Sequence, residues 1–221
     1  QAWTLDYVSG RTLWRRLVRP VVPDQTRLDD EDTRHYRHVE ISVGLSDPGW
    51  VDQFYKGWGC MVADEKARDA TRQYDEDVLP LLEEAVAILD GVGNLSPTAR
   101  DVLDRLAALL CMLRTDRNII VAQEAIHAAL LDKPGAPETS AHMDRLRAAV
   151  DAEIENCRAF RGLLDSTGSV LFAVTSGEET PYLIKAPLSH QIARKIAAMQ
   201  RHRDDPPGPQ HDGFLARGVM G

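Results

Sequence analysis

The stretch that decides the fold is residues 96–131, which read SPTARDVLDRLAALLCMLRTDRNIIVAQEAIHAALL. It opens with Ser96 and Pro97, a pair typical of helix starts, because the serine side chain caps unpaired N–H groups and proline fits the first turn. Apolar residues then recur at three- and four-residue spacing, and no further Pro or Gly occurs until Pro134. The sequence therefore predicts one uninterrupted helix from Pro97 to about Leu131.

Polar side chains interrupt the apolar face of this helix. At about 100° per residue, Arg117 and Glu124 fall near the middle of the stripe and His127 falls toward its edge. A buried Arg or Glu is costly without a partner, so we expect each to meet a partner from another element, while Glu124 and His127 are close enough in sequence to touch. These groups either pin the helix to its neighbours or line a ligand pocket. The stripe itself consists of Val102, Leu103, Leu106, Leu109, Leu110, Leu113, Ile120, Val121 and Leu131.

Two further residues of the long helix, Arg114 and Asn118, are predicted to share a more exposed face, since they lie four residues apart. There they would donate hydrogen bonds to a ligand or to water. If this chain carries a ligand site, we predict that it is formed by Arg114, Arg117, Asn118, Glu124 and His127, with Trp14 or Trp58 as an aromatic wall.

Metal-binding patterns are present only in fragments. Glu124 and His127 have the E-x-x-H spacing of di-iron bundles, which also need a second such motif and two further Glu. Asp32 and His35 repeat the spacing with Asp, and Glu153 lies near the apolar face of the next helix, but the full set is absent. Glycine-rich phosphate loops and G-x-S-x-G elbows are missing as well. We therefore predict no metal site and no cofactor.

Three more helices are predicted around the long one. The first runs from about residue 64 to Gly91, and Pro80 should kink or split it. The second starts near Thr139 or Ser140 and ends near Asp165, and the third is capped by Ser189 and runs to about His202. The sequence thus predicts a helical core over residues 63–203, followed by a Pro-rich extended tail over 204–221.

Residues 1–62 differ from the core, because they hold all four Trp residues and are punctuated by Gly and Pro. They predict an irregular lobe of turns and short extended pieces with one short helix and a strand at residues 39–43, packed on the core. The aromatic side chains either form a compact core or give a partly exposed surface for a sugar or a protein. The predicted fold class is mainly α: a bundle of about four long helices with a small, irregular, aromatic-rich N-terminal lobe.

Composition narrows the classes of partner. The formal net charge of −8 disfavours nucleic acid, and no apolar run reaches the roughly 20 residues of a membrane span. The three cysteines have no zinc-site spacing. Cys111 and Cys157 lie within apolar helical patterns and suit buried thiols in a reducing compartment, so a cytoplasmic location is expected. The first residue is Gln1 instead of Met, as expected of a trimmed chain or of part of a longer polypeptide.

Three stretches carry a resemblance to a known class of protein. They are residues 19–24 (RPVVPD), which lead to an acidic segment and Tyr36, residues 113–118 (LRTDRN) and residues 192–205 (IARKIAAMQRHRDD). Together they resemble the helical C-terminal region that follows the catalytic barrel in large bacterial glycoside hydrolases and related carbohydrate-active proteins. The resemblance implies an accessory or companion domain that supports a substrate-binding face, with a catalytic domain or subunit as partner and a carbohydrate as ligand. The chain does not encode the barrel, which needs about 250 residues, so the catalytic carboxylates would lie elsewhere.

Two other functions stay open from the sequence. The chain would be a free-standing helical enzyme or ligand-binding protein if Arg117, Glu124 and His127 lined a pocket. It would be a protein-interaction module, for example a helical homo-oligomer, if it exposed a large apolar patch.

Overall fold

The computed structural model describes residues 17–36, 63–132, 137–169, 171 and 187–208. All regular structure in this part of the chain is helical, so the predicted mainly α fold is confirmed. A 3₁₀ turn (Gln25–Arg27) and a short helix α1 (Asp30–Tyr36) come first. They are followed by α2 (Ala63–Gln73), a π-helical turn (Tyr74–Val78), α3 (Leu79–Asp90), α4 (Pro97–Leu131), α5 (Pro137–Ser166) and α6 (Leu188–His202).

The long helix α4 has the predicted bounds at both ends. The Ser96 hydroxyl accepts a hydrogen bond from the Ala99 backbone N–H at 3.2 Å, as a capping serine does. The helix ends where Asp132 turns to an extended conformation, before the Pro134–Gly135 breaker. Local signals therefore determine both ends of this helix.

Helices α4 and α5 form an antiparallel hairpin, which α6 covers. Contacts near the ends of the hairpin show the register: Thr167 bonds to Asp104, and Thr139 bonds to Asp132. The apolar side chains of α5 are buried against α4 and α6, and burial of such side chains is the main stabilising contribution to a core of this kind. The large side chains that are fully buried in this core include Leu146, Val150 and Phe160 of α5 and Ile192 and Met199 of α6.

On the opposite side of α4, helices α2 and α3 pack less deeply. Leu79 of α3 is buried, whereas Leu82, Val86 and Leu89 are only half-buried. The π-helical turn lies directly before Pro80, where an α-helix would place the proline ring against the carbonyl four residues earlier. The wider turn accommodates this proline and interrupts the regular α-helix next to Pro80, where the sequence predicted a kink or a split.

The described part of the predicted N-terminal lobe packs on α6. Val18 and Tyr36 form an apolar cluster with Ala198. The Asp32 carboxylate is buried and forms ion pairs with Arg194 and Arg201 of α6. All four Trp residues lie outside the described residues, so the aromatic lobe remains a prediction.

The predicted cap of the last helix was wrong. The residue before α6 is Pro187, and no side chain caps the helix there. Ser189 is the second helical residue, and its hydroxyl donates instead to Asp165 of α5 at 2.6 Å. The strand predicted at 39–43 falls outside the described residues, as does the tail beyond Gly208. None of the described helices combines the length and the apolar character that a membrane span needs.

The described end of the chain returns to the N-terminal segment. The Gly208 backbone N–H donates to the Pro23 carbonyl at 3.1 Å. A Cβ atom at this position would overlap the Asp24 carboxylate, so any larger residue here would force that side chain to move.

Candidate functional site

A polar cluster lies at the centre of the bundle, where α4, α5 and α6 meet. The side chains of Glu153 and Lys195 are both 0% exposed, and Lys195 Nζ lies 2.5 Å from Glu153 Oε1. Thr115 Oγ1 donates to the same carboxylate oxygen at 2.8 Å, and Asn118 Nδ2 donates to Oε2 at 3.0 Å. Both oxygens of the buried carboxylate therefore have partners. We call Thr115, Asn118, Glu153, Asn156 and Lys195 the interior network.

The interior network also bonds to the main chain. Lys195 Nζ donates to the Leu17 carbonyl at 3.0 Å, which joins the N-terminal segment to the bundle. Asn156 Nδ2 donates to the Cys111 carbonyl at 2.8 Å and to Thr115 Oγ1 at 3.0 Å. A buried charge pair is tolerated only when further hydrogen bonds satisfy both ions, and this pair meets that condition.

The pKa shifts in this region follow from burial and from the ion pair. Burial by itself lowers the pKa of Lys195, but contact with the Cys157 thiol and the Glu153 carboxylate outweighs burial, and the pKa is raised. Burial raises the pKa of Cys157 well above its ordinary value and that of Cys111 to about 11. Both free thiols are therefore protonated at neutral pH and are poor nucleophiles, in line with the sequence expectation of buried thiols.

Arg117 pairs with the π-helical turn, on the side of α4 that faces away from α5. Its Nε and one terminal nitrogen each donate to the Asp75 carboxylate at 2.9 Å, a two-pronged contact. The adjacent Asp116 accepts a hydrogen bond from the Tyr74 hydroxyl at 2.5 Å. As expected, Arg117 has a partner from another element, and that partner fastens α4 to the segment between α2 and α3.

Glu124 is buried and pairs with α5. Its Oε2 atom lies 2.5 Å from Arg145 Nη1, an ion pair whose arginine is partly open to solvent. His127, one turn further on, is half-buried. The expectation that Glu124 meets a charge from another helix thus agrees with the structure, and the pair attaches the C-terminal half of α4 to α5.

The prediction that Arg114 and Asn118 share an exposed face was wrong for Asn118. Arg114 does lie near the surface, where it pairs with Glu83 of α3 at 2.7 Å. Asn118 is buried and belongs to the interior network, because α5 covers that side of α4. The two side chains therefore point to different neighbours. Trp14 and Trp58, the predicted aromatic wall, lie outside the described residues.

The acidic residues weighed as metal ligands are engaged by cations of the chain itself. Glu153 binds Lys195, Glu124 binds Arg145, and Asp32 binds Arg194 and Arg201. Within the described ranges, no group of three or more His, Cys, Asp and Glu side chains is placed to hold a metal ion.

Sequence reasoning missed the ion pair between Glu153 and Lys195, although each residue left a signal. Glu153 is flanked by Val150, Ile154 and Cys157, at positions −3, +1 and +4 on one helix face. Lys195 has Ile192, Ile196 and Met199 at the same three offsets. An acid and a base, each in the middle of an apolar stripe, indicate that the two stripes pack together and that the charges pair.

One face of α3 is apolar and open to solvent. Leu81 is 69% exposed and Ile88 is 62% exposed, while Val78, in the preceding π-helical turn, and Val92, just beyond the C-cap residue Gly91, are also exposed. Ala85, half-buried, completes the spacing of three, four, three and four residues from Val78 to Val92. We call these five residues the α3 stripe. Surface patches of this kind mark interaction sites when they are continuous.

Comparisons with known proteins give no assignment: no protein-family model, no curated protein and no solved structure matches this chain.

Proposed function

We propose that this chain is a helical accessory module that presents a preformed surface to a protein partner. The observation that carries the proposal is the α3 stripe, an apolar row along the roughly three turns of α3, on a bundle whose buried charges already have partners. An exposed row of large apolar side chains is unfavourable in water unless a partner covers it.

The pairing of the charged residues supports this role over a ligand pocket. Four of the residues predicted for a ligand site contact side chains outside α4. The pairs are Arg114 with Glu83, Arg117 with Asp75, Asn118 with Glu153, and Glu124 with Arg145. These contacts fasten α4 to α3, to the π-helical turn and to α5. Residues that hold helices together in this way are not available to bind a ligand without loss of those contacts.

The two apolar faces of α3 support the same role. Leu79, Leu82, Val86 and Leu89 face α4 and hold the helix in place. The α3 stripe lies on another side of the helix, and its large side chains stay in solvent. The helix therefore has one apolar face packed on α4 and a second apolar face that the described residues leave exposed.

The resemblance to the helical region that follows glycoside hydrolase barrels supplies the class of partner. We propose that the partner is the catalytic domain or subunit of a bacterial carbohydrate-active protein, and that this chain supports its substrate-binding face. A direct saccharide contact would involve the Trp-rich residues 1–62, and it stays a prediction from the sequence.

The test is to isolate the native polypeptide from its source and to determine its intact mass and the identity of any stoichiometric partner. We expect a longer chain or a stable complex with a carbohydrate-active protein. In the complex, Leu81→Gln/Ile88→Gln should release the partner. The matched control Leu131→Gln changes an equally exposed leucine, 60% exposed, at the far end of α4, and should retain it. A lone chain of unchanged mass, or equal retention by both variants, would contradict the proposal.

A further inference from the structure

We infer that the α3 stripe binds an amphipathic helix whose apolar face is bordered by Lys or Arg, and that this helix belongs to another protein. The inference rests on the proposed function, because it assigns the chemistry of the partner to the surface described there. Two independent features of α3 carry it: the spacing of its exposed apolar residues and the sign of the charges beside them.

The spacing is that of a helix–helix seam. Leu81, Ala85 and Ile88 recur at intervals of four and three residues, the spacing with which one helix presents a row to a second helix. α3 itself has 12 residues, about 18 Å at 1.5 Å per residue, and so offers roughly three turns to a partner helix. A helix is therefore a better occupant than an extended peptide, whose alternate side chains would not match this spacing.

The charged side chains that α3 and its flanking residues themselves carry are all negative. Residues 73–99 contain no basic side chain, and their acidic residues are Asp75, Glu76, Asp77, Glu83, Glu84 and Asp90. Asp75, Glu76 and Glu83 form ion pairs with arginines of the chain. By contrast, Asp77, Glu84 and Asp90 form no ion pair with the described residues.

Two of these acids border the stripe directly. Glu84 precedes Ile88 by four residues within α3, so its carboxylate lies about 40° around the helix from an exposed apolar residue, and Asp77 is adjacent to Val78 in the π-helical turn at the start of the stripe. Charges in this position sit at the edge of a helix–helix contact, where they select the partner by sign. A helix that places Lys or Arg opposite them is favoured, and an acidic helix is repelled.

The same charges argue against a second copy of the chain as the occupant. Two α3 stripes packed together would bring four uncompensated carboxylates, Asp77 and Glu84 from each copy, to the rim of one contact. Like charges at these positions are used by helical proteins to prevent self-association. We therefore expect this face to bind a basic helix and not to form a homodimer at neutral pH.

The experiment uses two synthetic helical peptides of equal length. Both have Leu at the a and d positions of three heptads; one has Lys and the other Glu at the e and g positions. Binding of dilute labelled peptide to the whole chain is followed by fluorescence anisotropy at low and at high salt. We expect the Lys peptide to bind about tenfold or more tightly than the Glu peptide, and the difference to shrink as salt screens the charges.

Variants of the chain separate the apolar and the charged contributions. Leu81→Gln/Ile88→Gln should weaken binding of the Lys peptide about tenfold or more, because it removes the centre of the seam. Asp77→Asn/Glu84→Gln should weaken binding several-fold and flatten its salt dependence. Leu131→Gln and Glu155→Gln, an exposed leucine and an exposed acid elsewhere, serve as controls and should bind as the unmodified chain does. Circular dichroism checks that each variant is folded.

The outcomes that overturn the inference are distinct from failure of the proposed function. Equal binding of the Lys and Glu peptides would leave an apolar docking face but refute a basic partner. Self-association that Leu81→Gln/Ile88→Gln abolishes would assign the face to a second copy. Absence of binding by either peptide would also overturn the inference. In each case the isolated native complex still decides the proposed function, because that test does not depend on the charge of the partner.

Discussion

The two sides of α4 show how the same helix can serve stability on one side and leave a surface for recognition on the other. Where α4 packs against α5 and α6, the central side chains are fully buried, and even the charged side chain of Lys195 is closed to solvent. Toward α2 and α3, contacts are shallower, and the polar pairs of Arg114 and Arg117 lie at the rim. The contrast indicates that the α4–α5–α6 side holds the fold, whereas the α3 side is available to a partner.

The largest effect is expected from Lys195→Met, which removes the cation and leaves Glu153 buried without it. Breaking one partner of a buried ion pair reduces the free energy of unfolding by about 3–5 kcal/mol. Urea denaturation monitored by circular dichroism measures the change. Lys195→Met/Glu153→Gln should recover a large part of the loss, since glutamine removes the charge and still accepts from Thr115. A single variant as stable as the unmodified chain would refute the ionised pair.

A smaller loss is expected from Glu124→Ala, at the edge of the same side of α4. It strands Arg145, which is partly open to water, so the free energy of unfolding should fall by about 1–3 kcal/mol. Glu155→Ala, which removes an exposed acid from α5, is the matched control and should change stability little. An unchanged melting temperature for Glu124→Ala would contradict the burial of this carboxylate.

On the α3 side, Arg117→Ala should lower the free energy of unfolding by only about 0–1 kcal/mol, because its partner Asp75 is largely exposed and the ion pair is screened by water. The loss should decrease at high salt, unlike that of Lys195→Met. Urea denaturation at two salt concentrations makes the comparison. A loss as large as that of Lys195→Met would show that the two sides of α4 do not differ as described.

The smallest effect on stability is expected from Leu81→Gln/Ile88→Gln. Both side chains are mostly in solvent, so replacing them should change the free energy of unfolding by no more than about 0.5 kcal/mol per site. Leu79→Gln, a change to the buried face of the same helix, is the contrasting variant and should destabilise clearly. Equal destabilisation by both would mean that the α3 stripe is part of the core.

The sequence predicted those features that depend on local signals. The bounds of α4 follow from Ser96, Pro97 and the breaker after Leu131, all of which act within a few residues. Ser189 was predicted to cap α6 because serine is a good capping residue. In the structure α6 begins directly after Pro187, and the Ser189 hydroxyl donates to Asp165 of another helix. Local propensity cannot show that a side chain has a better partner across the bundle.

The positions of the polar sites depend on how several helices pack together, which the sequence of a single helix does not show. The angular position of Asn118 on α4 was read from α4 alone, and it became interior because α5 covers that angle. The pairing of Glu153 with Lys195 needs the register of two helices whose residues are 42 positions apart. The apolar residues of α3 were predictable as helical, but only their packing on α4 separates Leu82 and Leu89 from the exposed Leu81 and Ile88.

The most direct test of the contrast between the two sides is hydrogen exchange of the whole chain, measured by mass spectrometry with and without the Lys peptide. The account predicts that, in the free chain, amides of α4, α5 and α6 exchange most slowly and those of α3 faster. Addition of the peptide should then slow exchange across residues 78–92. Protection that instead appears on α5 or α6, or no change at residues 78–92 while the peptide is bound, would contradict the assignment of α3 as the recognition face.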